Sequence, residues 1–324
     1  MAISFLDYTK KEVFKFLSKH FSSHVLLYHS CFDELPDLLK NHIHNVRPDE
    51  MYEQLKWYKR NFDIVPLQEW VEAKNRSGLV SVTFDDAYRS VFTQGLPVLE
   101  ALNIPATIFV IAGTLREKTL WRDQIRILEA LGLTKQLTEK LNRDFGTSFT
   151  HQDFYLQSKD PVFSKELSNA SIDQILSEFL AKRTDGSIQM NYCVAHESEL
   201  INHPLLMYGN HSFHHYNFST LSIAEQQKDL KNSYKIVKKA AGSSFINYFS
   251  LPFGGHDAYN NDTLKILNDL DTKAMLLNNT SLNHYQKLEI KEGIKFIERY
   301  MLPSNFDEVE QNLISMSHRL YRKK

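Results

Sequence analysis

Leu79-Val80-Ser81-Val82-Thr83-Phe84 is a short, β-branched run that follows Gly78 and stops at two adjacent carboxylates, Asp85 and Asp86. A run of this length with no charge in it reads as an interior strand of a parallel sheet, because a strand covered on both faces has no solvent side to mark with alternating polarity. The same grammar recurs along the chain. Val25 to Tyr28, Asp63 to Val65, Ile104 to Ile111, Leu205 to Tyr208, Ile246 to Phe249, Lys273 to Leu277 and Ile294 to Ile297 are further strand candidates. Between them lie helical stretches. Pro48 to Phe62 carries apolar residues at helical spacing. Tyr88 to Leu102 tolerates Pro97 only at a kink or a new start. Ser222 and Glu225 form a capping box for a helix that Gly242 stops. Strand and helix in alternation mean an α/β chain with a parallel sheet.

With 324 residues, 42% of them hydrophobic, the chain can bury a large core as one domain carrying an insertion. From Gly113 to about Ala195 the strand signal disappears and polar helices take over, so 114–195 is read as a helical insertion that shapes or covers a cleft. Residues 1–24 read as an amphipathic helical extension, for which core packing is favoured over peripheral membrane contact. That stretch has no unbroken apolar core of a secretory signal, and no run reaches the length of a membrane span; a cytoplasmic location is the corresponding expectation. Thirty-eight basic against 39 acidic residues give a net charge of -1, which argues against a nucleic-acid groove. Cys31 and Cys193 are too few for a disulfide scaffold or a cysteine-rich zinc site.

Two carboxylates at the C-terminal end of a parallel strand stand where α/β folds place ligands, although a lone Asp pair there also serves as a helix cap. His29 follows the first strand in the same way. His211 and His215, four residues apart behind Gly209-Asn210, can converge on one point, although spacing alone favours a structural or surface pair. Two imidazoles and one carboxylate would make a three-ligand face with positions left for water and substrate, the arrangement of a catalytic zinc.

In chain order, Thr83-Phe84-Asp85-Asp86, His211-Ser212-Phe213-His214-His215 and Leu251-Pro252-Phe253-Gly254 resemble the first three motifs of the polysaccharide deacetylase (NodB-homology) family. Tyr28-His29 and the Ile104 to Val110 strand add to the resemblance, which spans about Val25 to Ile111 and Glu199 to Leu302 and leaves the insertion unmatched. It implies a distorted (β/α) barrel of about seven strands made of 25–113 and 196–324. It also implies Asp86, His211 and His215 as ligands of a divalent metal, Zn2+ first and Co2+, Mn2+ or Ni2+ as alternatives. Asp85 is then the general base, an order of the two acids taken from the family. The Phe253 backbone N–H becomes the oxyanion donor, Pro252, Gly254 and Ser212 line the substrate side, and Ser212 also fixes the metal loop. The substrate class implied is an N-acetylated carbohydrate.

Two departures bear on activity. Ser250 stands where many members carry an Arg that orients the catalytic Asp; Arg299 is the candidate replacement. The family's late Leu-x-His motif, source of the general acid, is not evident, which leaves His29 ahead of His256 and His284 for protonating the leaving amine. His214 falls outside the motif spacing and reads as structural or substrate-facing. Trp121 is read as a substrate contact or a buried aromatic, evenly weighted. The leading function is removal of an N-acetyl group from an amino sugar of a polysaccharide or glycoconjugate precursor. A catalytically silent carbohydrate-binding relative and a hydrolase of another C–N bond, such as a formyl amide or cyclic ureide, are the alternatives. Nothing in the sequence selects the sugar, its length or the oligomeric state.

Overall fold

Among the described residues nine strands run parallel in one curled sheet. The computed structural model describes residues 19–37, 43–116, 120–150, 168–182 and 194–322, with isolated helical positions at 12, 13 and 16. Most of the N-terminal extension, Cys193 and the 151–167 and 183–193 parts of the insertion lie outside the described residues. The strands are β1 (Ser22–Tyr28), β2 (Asp63–Ile64), β3 (Leu79–Phe84), β4 (Ala106–Val110), β5 (Leu206–Asn210), β6 (Phe245–Ser250), β7 (Ala274–Leu276), β8 (Asn283–His284), β9 (Glu289–Lys291), β10 (Ile294–Ile297) and β11 (Tyr300–Met301). They are ordered β11-β1-β3-β4-β5-β6-β7-β10-β9, every pairing parallel except β10 with β9, while β2 joins β3 and β8 joins β1. Nine strands therefore make the path where about seven were expected.

The helices are α1 (Pro48–Asn61), α2 (Leu67–Glu72), α3 (Leu96–Leu102), α4 (Trp121–Ala130), α5 (Thr134–Phe145), α6 (Asn169–Ala181), α7 (Ile223–Ala241), α8 (Asn261–Asp269) and α9 (Val309–Arg322). Pro97 sits in the first turn of α3, just after a π-helical turn over Val91–Gly95, so the helix restarts where the missing N–H does no harm. α7 has the reciprocal Ser222–Glu225 capping box. Among the described residues no helix is long and apolar enough to cross a membrane.

β1 begins three residues before the expected Val25. Ser22, Ser23 and His24 carry no strand signal, yet they are buried, because Ser22 and Ser23 pair antiparallel with His284 and Asn283. The curl of the sheet follows from its inner face. Val25, Phe109, Tyr248, Leu276 and Ile297 come from β1, β4, β6, β7 and β10 and pack in one cluster with Trp70. Strands that far apart share a cluster only if the sheet bends around it. Gly209 makes room for this packing, since a Cβ there would lie 2.4 Å from Phe109 Cε1. The outer face is covered by two further apolar clusters, one including Met51 and Leu55 of α1, Leu99 of α3 and Val237 of α7, the other Ile125 and Leu128 of α4, Leu137 of α5 and Leu176 of α6.

Candidate active site

Register brings the polar ends of these strands together. Tyr28 pairs with Phe84, Phe84 with Ile108, Val110 with Asn210, and both Ser250 and Ile297 with Leu276. The residues that follow, His29, Asp85, His211, Leu251 and Leu277, thus emerge at one edge, the C-terminal edge where α/β sheets present ligands. Asp86 (φ 69°), Ala87 (57°), Ser212 (68°), His215 (58°) and Phe253 (64°) all adopt the left-handed region there. Non-glycine residues hold that conformation only where their surroundings impose it, and such strain concentrates at functional sites.

Asp85 is 3% exposed and is gripped by Arg299, itself fully buried. Arg299 Nη1 donates to Asp85 Oδ1 at 2.7 Å and Nη2 to Oδ2 at 2.7 Å, while Nε holds Leu277 O at 2.9 Å. Ser250 Oγ donates to Asp85 Oδ2 at 3.0 Å and accepts from Arg299 Nη2 at 2.8 Å. The small residue at position 250 thus leaves room for a guanidinium arriving from the end of β10, 214 residues away from Asp85 in sequence. Burial, the largest single influence, pushes the Asp85 carboxyl up, but the Arg299 charge, His211, the Arg299 hydrogen bonds and His29 together outweigh it, so its pKa ends below the usual carboxylate range.

Asp86, His211 and His215 meet. Their ligand atoms all lie within 4.8 Å of one another. His211 Nδ1 is 2.8 Å from Ser250 O and must donate to it, which leaves the Nε2 lone pair facing Asp86 Oδ1 at 3.3 Å. His215 Nε2 is 3.7 Å from the same oxygen. Asp86 Oδ1 and His215 Nδ1 are buried with no hydrogen-bond partner among the described residues. A carboxylate oxygen facing an imidazole lone pair across 3.3 Å repels it unless a proton or a metal cation lies between them. Burial lowers the His211 pKa, but Asp85 and Asp86 together outweigh it and raise it, so the spot attracts positive charge, and this donor set fits a divalent metal. Burial lowers the His215 pKa to about 3, so its imidazole is neutral, as a ligand must be.

The metal-free protein should register this in its acid stability. His215, lowered in the fold, takes no proton between its unfolded pKa of about 6.5 and about 3, whereas the unfolded chain does, so stability falls as pH drops through that window. Asp86, also held low because the imidazoles of His211, His215 and His29 together outweigh its burial, adds a further loss below its ordinary range. Thermal melts of the chelated protein from pH 7 to 4 should show this decline, and His215→Gln should make it shallower while leaving the part contributed by the other buried, lowered histidines, His29 and His44.

The His211–His215 loop is built from below. Ser212 N–H donates to Asn210 Oδ1 at 2.9 Å, and Ser212 Oγ accepts from His215 N at 2.9 Å. Asp229 of α7 receives Phe213 N at 2.7 Å, His214 N at 3.1 Å and His214 Nδ1 at 2.8 Å. Trp121 Nε1 donates to His215 O at 3.0 Å, Asp173 of α6 accepts from Tyr216 Oη at 2.5 Å, and Asn169 Oδ1 accepts from Asn217 N at 2.6 Å. Two expectations change accordingly. Ser212 is fully buried, so it fixes the loop and does not line the substrate side. Trp121 is 1% exposed, so the buried-aromatic alternative holds, and its polar atom supports a ligand's backbone.

Leu251-Pro252-Phe253-Gly254 is a turn closed by Gly254 N to Leu251 O at 3.0 Å, with proline second and a left-handed residue third, as in a type II turn. The Phe253 ring packs on His215 with centroids 4.9 Å apart. Pro252 and Gly254, expected on the substrate side, are buried in the turn. Gly254 has φ 66°, and a Cβ there would fall 2.4 Å from Asn278 N. Gly254→Ala should therefore cost at least about 1–3 kcal/mol of stability, read by denaturant unfolding.

Of the candidate acids, His284 lies beside Ser22 at the start of β1, a strand's length from the site, and is thereby eliminated. His256 is largely exposed, 3.9 Å from Glu298. His29 stands next to Asp85 at the active edge, where the charges of Asp86 and Asp85 oppose the lowering of its pKa by burial. Asp229 and His44, a partner of His29, escaped the sequence reading. The one signal for Asp229 was a carboxylate on the buried face of α7, among Gln226, Leu230, Ser233 and Val237.

A family model for polysaccharide deacetylases matches residues 72–171 and 199–275, more than half of the chain. The chain belongs to the polysaccharide deacetylase family. The match runs through 114–171, so much of the segment read as unmatched insertion lies within it. Solved structures share the fold of this chain. The Streptococcus pyogenes deacetylase PplD in complex with acetate is 17% identical, with a TM-score of 0.55 over 91% of this chain and 98% of its own. IcaB from Ammonifex degensii is 16% identical, TM-score 0.53, over 92% and 98%. The de-N-acetylase from Aggregatibacter actinomycetemcomitans is 12% identical, TM-score 0.54, over 90% and 99%. No curated protein matches the chain.

Proposed function

We propose that this deacetylase is a metal-dependent hydrolase that removes the N-acetyl group from an amino sugar of a polysaccharide or glycoconjugate precursor. The observation that carries the reading is the buried, unpartnered Asp86 Oδ1 facing two imidazole nitrogens, beside an Asp85 locked by Arg299. Family membership and the deacetylase titles of the neighbouring structures support the chemistry.

Asp86, His211 and His215 would hold the ion, Zn2+ or another divalent metal, which when bound supplies Lewis-acid polarisation of the acyl carbonyl and lowers the pKa of water. Asp85 takes one proton from the attacking water, whose oxygen joins the acyl carbon. Arg299 and Ser250 keep that carboxylate ionised and aimed. The Phe253 backbone N–H is the donor to the developing oxyanion. Protonated His29 gives a proton to the amide nitrogen as the C–N bond breaks, releasing acetate and the free amine. Trp121 of α4 and Asn169 and Asp173 of α6 brace the metal loop.

The alternative of a silent carbohydrate binder rests on the missing Arg at Ser250 and the missing late His; Arg299, just after β10, brings a guanidinium to Asp85 in place of the first, and His29 is offered in place of the second. Acetate release from chitin-type oligosaccharides, measured on zinc-loaded and chelated protein, tests the reading. Formyl amides and cyclic ureides in the same panel decide between C–N bonds. Binding of the oligosaccharide with no acetate released under any metal would establish the silent alternative.

A further inference from the structure

We propose that His44 is a positioning residue for the general acid: it fixes the tautomer and orientation of His29, so that Nε2 is the nitrogen that exchanges a proton with the leaving amine. This rests on the reading of His29 as that acid.

The chain of contacts leaves one assignment. His44 Nε2 lies 2.7 Å from Leu302 O, and a carbonyl only accepts, so Nε2 carries the hydrogen. Neutral His44 then has its lone pair on Nδ1, which is 3.3 Å from His29 Nδ1. His29 Nδ1 must therefore donate, and the remaining nitrogen, Nε2, is the one left for chemistry. His44 is kept neutral by burial first and by the neighbouring His29 second, its pKa pushed down to about 4.

The local backbone holds this pair in place. Ser30 N donates to His44 O at 3.3 Å and Val46 N to Ser30 O at 3.1 Å, a short parallel bridge that ties His44's segment to the residue after His29. Asn45 Oδ1 accepts from Ser30 Oγ at 2.8 Å and Phe32 N at 2.7 Å. Leu302 is anchored in turn, its N–H donating to Leu27 O at 3.2 Å. Imidazole, carbonyl and imidazole are thus all fixed to the end of β1 beside Asp85. During turnover the Nε2 proton moves to the amine nitrogen while the Nδ1–H stays bonded to His44. A neutral acceptor supports the imidazolium less than a carboxylate would, which keeps it a willing proton donor.

The test compares two substrates on the zinc-loaded full chain: an N-acetylated chitin-type oligosaccharide, whose amine must be protonated to leave, and an aryl acetate, whose phenolate leaves without a proton. His29→Ala should lose oligosaccharide turnover and keep aryl acetate hydrolysis. His44→Phe should lower kcat on the oligosaccharide roughly ten- to hundredfold, less than the about 10²- to 10⁴-fold of a whole acid–base contribution. Its aryl acetate rate and zinc content should stay within about twofold of the parent. His44→Asn, whose Oδ1 occupies the acceptor position of Nδ1, should recover most of the loss. If His29→Ala turns over the oligosaccharide normally, the acid reading fails and this inference with it. If His29→Ala is inactive on the oligosaccharide while His44→Phe is unaffected, or loses both substrates equally, the positioning role alone is overturned. Should His44→Phe not fold, 15N spectra of the parent protein decide: the inference requires His29 as the Nδ1–H tautomer, and an Nε2–H tautomer overturns it.

Discussion

His211→Ala and His215→Ala are each expected to remove the bound divalent ion and acetate release together. Each substitution takes away one of three donors whose ligand atoms lie within 4.8 Å of one another, in a site with no further His, Cys, Asp or Glu grouped with them among the described residues. Two protein ligands do not hold zinc against solvent in the way three do. The two variants should differ in stability. His211 is fixed by Ser250 O and faces both acids, so its loss leaves Asp85 and Asp86 crowded without an intervening imidazole. His215 leaves less behind, because its loop remains tied by Ser212, Asp229 and Trp121. Metal content by elemental analysis and acetate release on the same preparations check this; a variant that lost activity with its metal intact would contradict the ligand assignment.

Asp85→Asn should produce the opposite dissociation, retaining metal while turnover falls by about 10²- to 10⁴-fold. The amide cannot take a proton from water, yet it occupies the same volume and can still accept from Arg299 with its one oxygen. The remaining guanidinium, fully buried, loses its countercharge, and breaking a buried pair in this way costs about 3–5 kcal/mol. Thermal denaturation run beside the kinetics separates that loss from the catalytic one. Full activity in Asp85→Asn would falsify the assignment of the base.

The strand ends were legible in the sequence because a parallel strand buried on both faces is an unbroken apolar run, and the polar residue that ends it stands out. Asp85, Asp86, His29 and His211 were all visible in that way. The two- and three-residue strands β8, β9 and β11 carry too few residues for any periodicity, and Ser22-Ser23-His24 looks like coil because its burial depends on β8, some 260 residues later. Arg299 was nameable only as a candidate, since no local pattern says that the end of β10 points its guanidinium at the end of β3. Trp121 and Asp229 act on the His211–His215 loop from separate helices, and the pairing of His44 with His29 joins positions 15 apart in sequence. These are tertiary facts, made by the curl of the sheet.

X-ray absorption at the zinc edge of the metal-loaded protein tests the central claim most directly. The account predicts one ion per chain in a shell of nitrogen and oxygen at about 2.0–2.2 Å, with the outer-ring scattering of two imidazoles that falls to one in His215→Ala. A sulfur shell at about 2.3 Å, or a spectrum that His215→Ala leaves unchanged, would contradict it.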